Sequence, residues 1–317
     1  MELKENILLA PYTNFRVGGP ADFFVEAKNT DELKEASQFA KKKNVPVVVL
    51  GGGANILISD AGFRGLVIRI VARSLSVKDG LIVADAGCTM GQVVAEAQKA
   101  GLTGLEWAVG LPGTVGGAVF GNAGCFGGET KDVVYSVELL DLKNYELRIV
   151  DYKELEPGYR HSNLKKMGDI VVSATFKLKK GDAKDIAASM EQIRQKSTER
   201  IKEQPLGAWT AGSTFKGVLL TENDKSRITD CGLDWKSGIN RTGYLSAGWL
   251  LEQTGLKGYR VGDALFSSHH ANFIINHGKA SASDILHLID TAKLRVMERF
   301  GIELKEEIRY IGFEDRE

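Results

Sequence analysis

The sequence predicts an α+β protein built from three parts. Its 317 residues exceed what a single small core requires. The first 70 residues alternate strand, helix and strand patterns, and from about Val71 short strand patterns predominate. The last third contains a long amphipathic helix pattern between strand patterns. We therefore expect domains over residues 1–70, 71–203 and 204–317.

The first part has the pattern of a small βαβ unit. Alternation predicts a strand over Asp22–Ala27, and either Asn29 or Thr30 can cap the helix that follows. The short apolar run Val45–Leu50 is rich in β-branched residues and predicts a buried strand. The helix between them has one apolar face, formed by Leu33, Ala36 and Ala40.

The second and third parts contain further helices and strands. The predicted helices are Thr89–Lys99, Ala183–Lys202 and Ser283–Phe300. The predicted strands are a hairpin of Val137–Leu142 and Glu146–Val150, then Asp169–Leu178, Ala271–Asn276 and Ile302–Ile311. Gly101 and Gly301 follow the first and last of these helices, where glycine readily ends a helix.

Charge and cysteine content exclude several classes of function. Lys plus Arg and Asp plus Glu both count 41, so the formal net charge is zero and predicts no nonspecific attraction to nucleic acid or anionic membranes. No apolar run approaches the roughly 20 residues that span a bilayer, and the amino terminus lacks an apolar signal region. We therefore expect a cytoplasmic protein. The cysteines, Cys88, Cys125 and Cys231, lack the spacing of a disulfide scaffold or zinc site and are expected to be free thiols.

Two glycine-rich runs give the strongest functional signal. Gly110–Glu129 lacks the filler residues of a flexible linker, and Gly51–Ile56 directly follows the predicted strand Val45–Leu50. Glycine has no Cβ and allows positive φ, so such backbone can approach a ligand closely, although tight packing uses glycine turns as often. Neither run is the usual dinucleotide fingerprint or a phosphate loop with its lysine. We expect a nucleotide-like cofactor held by another architecture.

Three polar residues are candidates for chemistry, and each has an ordinary alternative reading. Arg160, within Gly158–Ser162, has the ordinary reading of a solvated or ion-paired surface group. Ser213, within Ala211–Lys216, has that of a serine that satisfies turn backbone. Glu307 has that of an exposed carboxylate on the last strand. Taken alone, these local patterns indicate a nucleotide-binding enzyme without a mechanism.

A metal site is not expected. His269 and His270 are adjacent, and adjacent strand residues point to opposite faces, so they cannot easily chelate one ion. A third ligand at a useful spacing is missing. Cys125, inside the second glycine run, is read as a small buried residue.

Eight motifs follow one another along nearly the whole chain, namely Thr13–Asp22, Leu50–Leu57, Gly110–Glu129, Tyr159–Ser162, Ala211–Lys216, Ala247–Gly258, His270–Asn276 and Glu306–Gly312. In this order they resemble the UDP-N-acetylenolpyruvoylglucosamine reductase family, the flavoenzymes of peptidoglycan precursor synthesis. Each motif is weak alone, but their order is highly specific. The first half also resembles the FAD-binding domain of the vanillyl-alcohol oxidase superfamily. This implies a two-subdomain flavin module over about residues 14–180, followed by an α/β substrate-binding domain.

The resemblance implies an oxidoreductase with noncovalent FAD and with NADPH as hydride donor. It reduces the enolpyruvyl ether of UDP-N-acetylglucosamine to UDP-N-acetylmuramate for cell wall biogenesis. Ser213 is implied as the proton donor, while Arg160 and Glu307 stabilise the enolate, on which hydride addition places negative charge. The residues implied to contact FAD are Gly51, Gly52, Gly53, Ala54, Asn55, Ile56, Gly113, Thr114, Gly116, Gly117, Asn122, Ala123 and Gly124.

Substrate contacts follow from the same resemblance. Tyr159, Lys216 and Lys257 are implied to bind the nucleotide substrate, with Arg260 as a further basic residue near its diphosphate. The chain lacks an additional tyrosine-bearing loop after Leu178, and in this it resembles the shorter, second type of these reductases. Neither a metal nor a nucleic acid or membrane partner is implied, and we expect a monomer.

The chain departs from the family pattern after Lys216. The family continues with asparagine or arginine and then proline, whereas this chain has Gly217 and an extra polar stretch over about 219–243. Its basic residues are Lys225, Arg227, Lys236 and Arg241. The stretch is read either as an inserted hairpin beside the substrate site or as a tolerated surface insertion.

Two other functions compete with the reductase. One is a different FAD-dependent oxidase or dehydrogenase on the same flavin module, which would need a different third domain. The other is a flavin-binding protein without catalysis. The matches at Arg160, Ser213 and Glu307 favour the reductase over both.

Overall fold

The structure, a computed structural model, describes residues 1–202, 208–240 and 243–314. The predicted boundary at residue 203 and Arg241 of the inserted stretch lie outside these ranges. The chain forms two compact units. Unit 1 comprises Met1–Ile7, Ala21–Gly52 and Arg64–Thr198, and unit 2 comprises Leu8–Pro20, Gly53–Phe63 and Glu199–Glu317. The predicted α+β class is confirmed, while the division at residue 70 stays a prediction.

The strands of the described residues are mostly short. In chain order they are β1 Leu3–Leu8, β2 Pro20–Ala27, β3 Val47–Leu50, β4 Ile56–Ile58, β5 Phe63–Ile70, β6 Leu75–Lys78, β7 Leu81–Asp85, β8 Leu102–Thr103, β9 Gly124–Cys125, β10 Gly128–Glu129, β11 Val134–Leu140, β12 Leu147–Asp151, β13 Ile170–Lys177, β14 Lys179–Lys180, β15 Arg260–Val261, β16 Ala264–Phe266, β17 Ile274–Asn276 and β18 Arg309–Ile311.

The helices begin at polar N-cap residues, which can be recognised in the sequence. They are α1 Thr30–Lys43, α2 Met90–Lys99, α3 Val115–Gly121, α4 Leu164–Met167, α5 Ala183–Lys202, α6 Glu222–Asp230, α7 Ala247–Gln253 and α8 Ala282–Phe300. Asn29 caps α1, Thr89 caps α2 and Ser281 caps α8, each accepting a hydrogen bond from a first-turn N–H. Gly301 follows α8 at φ +65°, a conformation that ends a helix at little cost for glycine.

Unit 1 contains two sheets that share one core. The first sheet has the order β1-β2-β5-β3, in which β3 and β5 are parallel, so the predicted βαβ unit is present with β5 between its two strands. The second has the antiparallel order β12-β11-β13-β7-β6 and includes the predicted hairpin. Helices α1 and α2 pack their apolar faces into the common core, as Leu33 and Val93 illustrate.

Unit 2 has its own core beneath the long helix α8. The antiparallel sheet β15-β16-β17 packs against α8, whose buried face includes Ile285, Leu288 and Val296. Strands β4 and β18 form a separate parallel pair in register Arg309 to Ile56. This pair joins the segment after the first glycine loop to the C-terminal part of the chain.

Three sequence predictions of secondary structure are wrong in extent or type. The strand predicted over Ile302–Ile311 is limited to β18 and one bridge at Glu306, and the strand predicted from Ala271 begins only at Ile274. Alternating apolar residues satisfied the strand pattern, but a strand also needs a neighbour with which to bond. The described part of the inserted stretch is the helix α6 and a 3-10 turn, not a hairpin.

Two findings concern membranes and thiols. Among residues 1–202, 208–240 and 243–314, no helix combines the length and apolarity needed to cross a bilayer. Cys88, Cys125 and Cys231 all lie within the described residues, and none of them forms a disulfide. Burial, and secondarily the nearby Asp85 carboxylate, raise the pKa of the Cys88 thiol.

Tyr152 ties the hairpin segment to helix α3, and this contact predicts a pH dependence. Its hydroxyl donates to the Val119 carbonyl oxygen at 2.7 Å, and the ring is 1 % exposed. Burial first, and then the Glu129 carboxylate, raise the pKa of Tyr152 far above its ordinary value. An unfolded tyrosine ionises near pH 10, so this contribution to stability is complete below about pH 10 and is lost as the pH rises above it.

We expect Tyr152→Phe to lower the free energy of unfolding by about 1 kcal/mol at pH 8 and to weaken the loss of stability between pH 10 and 11. Urea denaturation at pH 8, 10 and 11 measures both effects. Tyr135→Phe, at a ring that is 52 % exposed, serves as the control. An unchanged alkaline loss in the Tyr152 variant would contradict the assignment.

Candidate active site

A glycine-lined cavity of about 190 Å³ lies in unit 1. The residues around it are Gly51, Gly52, Arg69, Ile70, Val71, Arg73, Gly87, Thr89, Gly113 and Thr114. A Cβ on Gly51 would lie 2.6 Å from the Thr114 hydroxyl oxygen, and one on Gly52 would lie 3.2 Å from the Gly113 Cα. The two predicted glycine runs therefore meet here because Gly51 and Gly52 have no side chain, which leaves room for the Thr114 side chain and the Gly113 backbone. The volume suits part of an extended ligand, since whole drug-sized ligands occupy roughly 300–1,000 Å³.

The rest of the first loop belongs to unit 2, where its backbone is fixed. Gly53 adopts φ +65°, and its carbonyl oxygen accepts from the Asn14 N–H at 3.0 Å. A Cβ there would overlap the carbonyl oxygen of Tyr12. The Asn55 side chain donates to the Glu307 carbonyl oxygen at 3.0 Å, and the Asn55 carbonyl accepts from Arg309.

The second glycine run folds into α3 and the short β9-β10 hairpin. Gly116 faces Ala86 so closely that a Cβ would lie 3.0 Å from the alanine methyl group, while Gly117 is exposed in the first turn. Ala123 accepts hydrogen bonds from the N–H and the hydroxyl of Thr130. Gly124 pairs with Glu129 across the hairpin. Their contacts with a cofactor stay predictions.

Arg160 lies in a tight turn of unit 1 and is half-buried. Its φ of +55° places it in the left-handed region, and the turn is closed by two backbone hydrogen bonds between Gly158 and His161 at 3.0 and 3.1 Å. The guanidinium lies 5.6 Å from the centroid of the half-buried Tyr159 ring. The turn thus places together the residues predicted to bind the substrate and to stabilise its charge.

Ser213 lies in an extended segment of unit 2 between two other segments of the chain. It bridges to Phe273, and the Thr214 N–H donates to the Asn272 carbonyl oxygen at 2.8 Å. The Asn272 carboxamide exchanges two further hydrogen bonds with the backbone of Phe215, both 2.9 Å long. Since Asn272 is only 6 % exposed, these bonds fix the serine-bearing backbone within the core.

Glu307 is joined to the other side of the serine segment. Its N–H donates to the Thr214 carbonyl oxygen at 2.8 Å, and Lys216 bonds to the neighbouring Lys305 carbonyl. Glu307 is half-buried. One backbone network of unit 2 therefore brings together Ser213, Glu307 and the Asn55–Ile56 part of the first loop, which the sequence separates by up to 252 residues.

The remaining predicted substrate residues differ in their surroundings. Lys216 is half-buried within the serine segment, whereas the exposed Lys257 is ion-paired with Glu252 at 3.0 Å. Arg260 is engaged with Asp263. Gly217, where the family pattern has another residue, is covered by Tyr244, which follows the inserted stretch, since a Cβ on Gly217 would lie 2.9 Å from the tyrosine Cβ.

Sequence reasoning missed several residues of these sites. Arg69 and Arg73 line the glycine cavity, and Gly87 and Thr89 complete it. Arg69 is the one basic residue in the mainly apolar second half of β5, which was an available signal. Asn272 lay inside a noted motif, but its role depends on contacts 57 residues away along the chain.

Comparison with known proteins agrees with this architecture. Residues 21–148 match the family model "FAD binding domain", and residues 204–311 match the C-terminal domain of UDP-N-acetylenolpyruvoylglucosamine reductase. Reductases of that name from Clostridium novyi (strain NT) and Lactiplantibacillus plantarum are 40% and 39% identical. The matches cover 99% and 98% of this chain, and 93% and 94% of those proteins. A crystal structure of the Thermus caldophilus reductase aligns with a TM-score of 0.76 at 35% identity, covering 98% of this chain and 99% of that one.

The fold and the glycine-lined cavity, together with the match over residues 21–148, define an FAD-binding flavoprotein. The chain belongs to the UDP-N-acetylenolpyruvoylglucosamine reductase family. The cavity residues fit such a cofactor, since Gly51, Gly52 and Gly113 line it with backbone and Arg73 supplies positive charge beside it, while Arg69 is ion-paired with Glu26 at 2.7 Å.

Proposed function

We propose that this protein is an NADPH-dependent flavoenzyme that reduces the enolpyruvyl ether of UDP-N-acetylglucosamine to UDP-N-acetylmuramate. The observation that carries the proposal is the backbone network that joins the segments of Ser213 and Glu307. Full-length similarity to reductases of that name supports the same activity. The reaction belongs to peptidoglycan precursor synthesis. It takes place in the cytoplasm, where NADPH and nucleotide sugars are available. The working unit is a monomer.

The two glycine runs would hold the cofactor. When bound, FAD supplies a carrier that takes a hydride from NADPH and passes it to the vinyl carbon of the substrate. Gly51, Gly52, Gly113 and Thr114 would lie against its diphosphate, where backbone N–H groups replace side chains. The second run, from Gly116 to Gly124, would continue along the cofactor.

The chain's own residues would control charge and protons on the substrate. Hydride addition at the vinyl terminus leaves negative charge on the neighbouring carbon and its carboxylate. Arg160 can meet that carboxylate with two parallel N–H donors, which stabilises the developing charge. The Ser213 hydroxyl then gives its proton to the carbon that bears the carboxylate, and Glu307 polarises the enolate through a shared proton or water. Lys216 and Lys257 would face the diphosphate of the nucleotide.

The test is an anaerobic experiment on the two half-reactions. Purified protein should carry the flavin absorption spectrum and release flavin on denaturation. NADPH should bleach it, and the enolpyruvyl nucleotide should restore the colour with formation of UDP-N-acetylmuramate. Bleaching by NADPH without reoxidation by that nucleotide would contradict the proposal and favour another flavin dehydrogenase. A colourless protein that binds no FAD would exclude both.

A further inference from the structure

We propose that Asn122 is a positioning residue that holds the Arg160 turn against the end of helix α3. This role rests on the proposed function, because it matters only if Arg160 stabilises charge on the substrate. The proposal gives the Asn122 side chain a structural task. Any contact of Asn122 with the cofactor would come from its backbone.

The Arg160 turn needs external support. A non-glycine residue in the left-handed region is strained and persists only when neighbouring structure holds it. Arg160 is such a residue, at φ +55°. The two hydrogen bonds between Gly158 and His161 close the turn but do not attach it to anything else.

The Asn122 carboxamide supplies that attachment. It is 0 % exposed, and its Nδ2 donates to the Gly158 carbonyl oxygen at 2.9 Å, directly at the start of the turn. The same nitrogen donates to Glu129 Oε2 at 3.1 Å, and Oδ1 accepts from the Lys131 N–H at 2.9 Å. All three bonds are internal, so the side chain joins the turn, α3 and the β9-β10 hairpin.

A second bond attaches the other end of the turn to the same helix. The Ser162 hydroxyl donates to the Phe120 carbonyl oxygen at 2.7 Å. The residues on both sides of Arg160 are thus tied to the last turn of α3, which is part of the second glycine run. The conformation of that run therefore helps to set the position of the Arg160 backbone, whose carbonyl oxygen also accepts from Lys165 Nζ at 2.9 Å.

Only asparagine can make all three bonds, and a side chain of similar shape cannot replace it. An aspartate at position 122 keeps the acceptor for Lys131, but it loses the N–H groups and places a carboxylate oxygen against the Gly158 carbonyl and the Glu129 carboxylate. Glu129 already has its cation, since Lys131 Nζ lies 2.7 Å away. Two like charges in a buried place would push the turn away from α3.

The experiment compares Asn122→Asp with Thr130→Val in the FAD-loaded enzyme. Thr130 is a matched control, because its buried hydroxyl donates to Ala123 of the same glycine run at 2.8 Å without touching the turn. For Asn122→Asp we expect normal FAD content, flavin reduction by NADPH within about twofold of wild type and reoxidation by the enolpyruvyl nucleotide slowed about 10- to 100-fold. Thr130→Val should keep both rates.

A double variant separates positioning from general damage. If Asn122 acts through Arg160, then Asn122→Asp combined with Arg160→Lys will be no slower in reoxidation than Arg160→Lys alone. The inference would be overturned if the two substitutions slowed reoxidation by the product of their separate effects. Equal slowing of both half-reactions by Asn122→Asp, or the same defect in Thr130→Val, would also overturn it. A wild-type enzyme that the nucleotide does not reoxidise would instead overturn the proposed function, so the two failures are distinguishable.

Discussion

Replacing Ser213 with alanine will leave flavin reduction by NADPH nearly unchanged and will slow reoxidation by the enolpyruvyl nucleotide by about 10²- to 10⁴-fold. This is the usual contribution of a positioned proton donor. The backbone of the serine is fixed on both sides, by the Asn272 segment and by the segment of Glu307, which would hold its hydroxyl in place for the proposed role. A hydroxyl is a weak acid in water, but an enolate carbon is basic, so placement matters more than acidity. Stopped-flow absorbance of the flavin measures both half-reactions separately.

The adjacent hydroxyl of Thr214 offers a matched control. It is 0 % exposed, and among the described residues it finds no hydrogen-bond partner. Thr214→Val removes it at constant shape and should keep both half-reactions and the stability of the fold. Equal slowing of both half-reactions in Ser213→Ala, or a comparable reoxidation defect in Thr214→Val, would argue against Ser213 as the proton donor.

Replacing Gly53 with alanine will destabilise the protein by about 2–5 kcal/mol and remove FAD from the purified enzyme. Two effects add, namely the cost of φ +65° for a residue with a Cβ and the overlap of that Cβ with the Tyr12 carbonyl oxygen. Relief of the overlap must shift the loop between Gly52 and Ile56. Urea denaturation of the apoprotein and the flavin content per chain are the measurements.

Gly101→Ala separates the two effects. Gly101 follows α2 at φ +63°, yet nothing lies within 4 Å of the place where its Cβ would stand. The substitution should therefore cost only about 1–2 kcal/mol of conformational strain and keep normal FAD content. If Gly53→Ala were no more destabilising than Gly101→Ala, the close backbone approach at the first loop would be unimportant for stability.

Local signals explain which elements could be predicted from the sequence. Helices α1, α2 and α8 begin at capping residues and α8 ends at a glycine. The predicted bounds of α2 and α8 were therefore confirmed within one residue, and Asn29 is the cap of α1. Of the two readings of the inserted stretch, the hairpin was wrong although a helix signal was available, since Thr221 and Asp224 form a capping box at the start of α6. The strand predicted over Ile302–Ile311 was wrong in extent because pairing with β4 supports only its last residues.

The candidate site shows the same division. The glycine runs and the motifs of Arg160, Ser213 and Glu307 were visible as types of residue in order, and that order was enough to indicate the family and its FAD.

The sequence by itself thus determined the class of fold, the helix ends and the identity of the candidate groups, because these depend on a residue and its near neighbours. Only the tertiary structure decided that Asn272 and Glu307 flank the Ser213 segment, that Asn122 supports the Arg160 turn, and that Gly51 lies against Thr114. Those contacts join segments far apart in the chain, and whether two distant segments meet depends on the packing of the whole core and not on the pattern within either one.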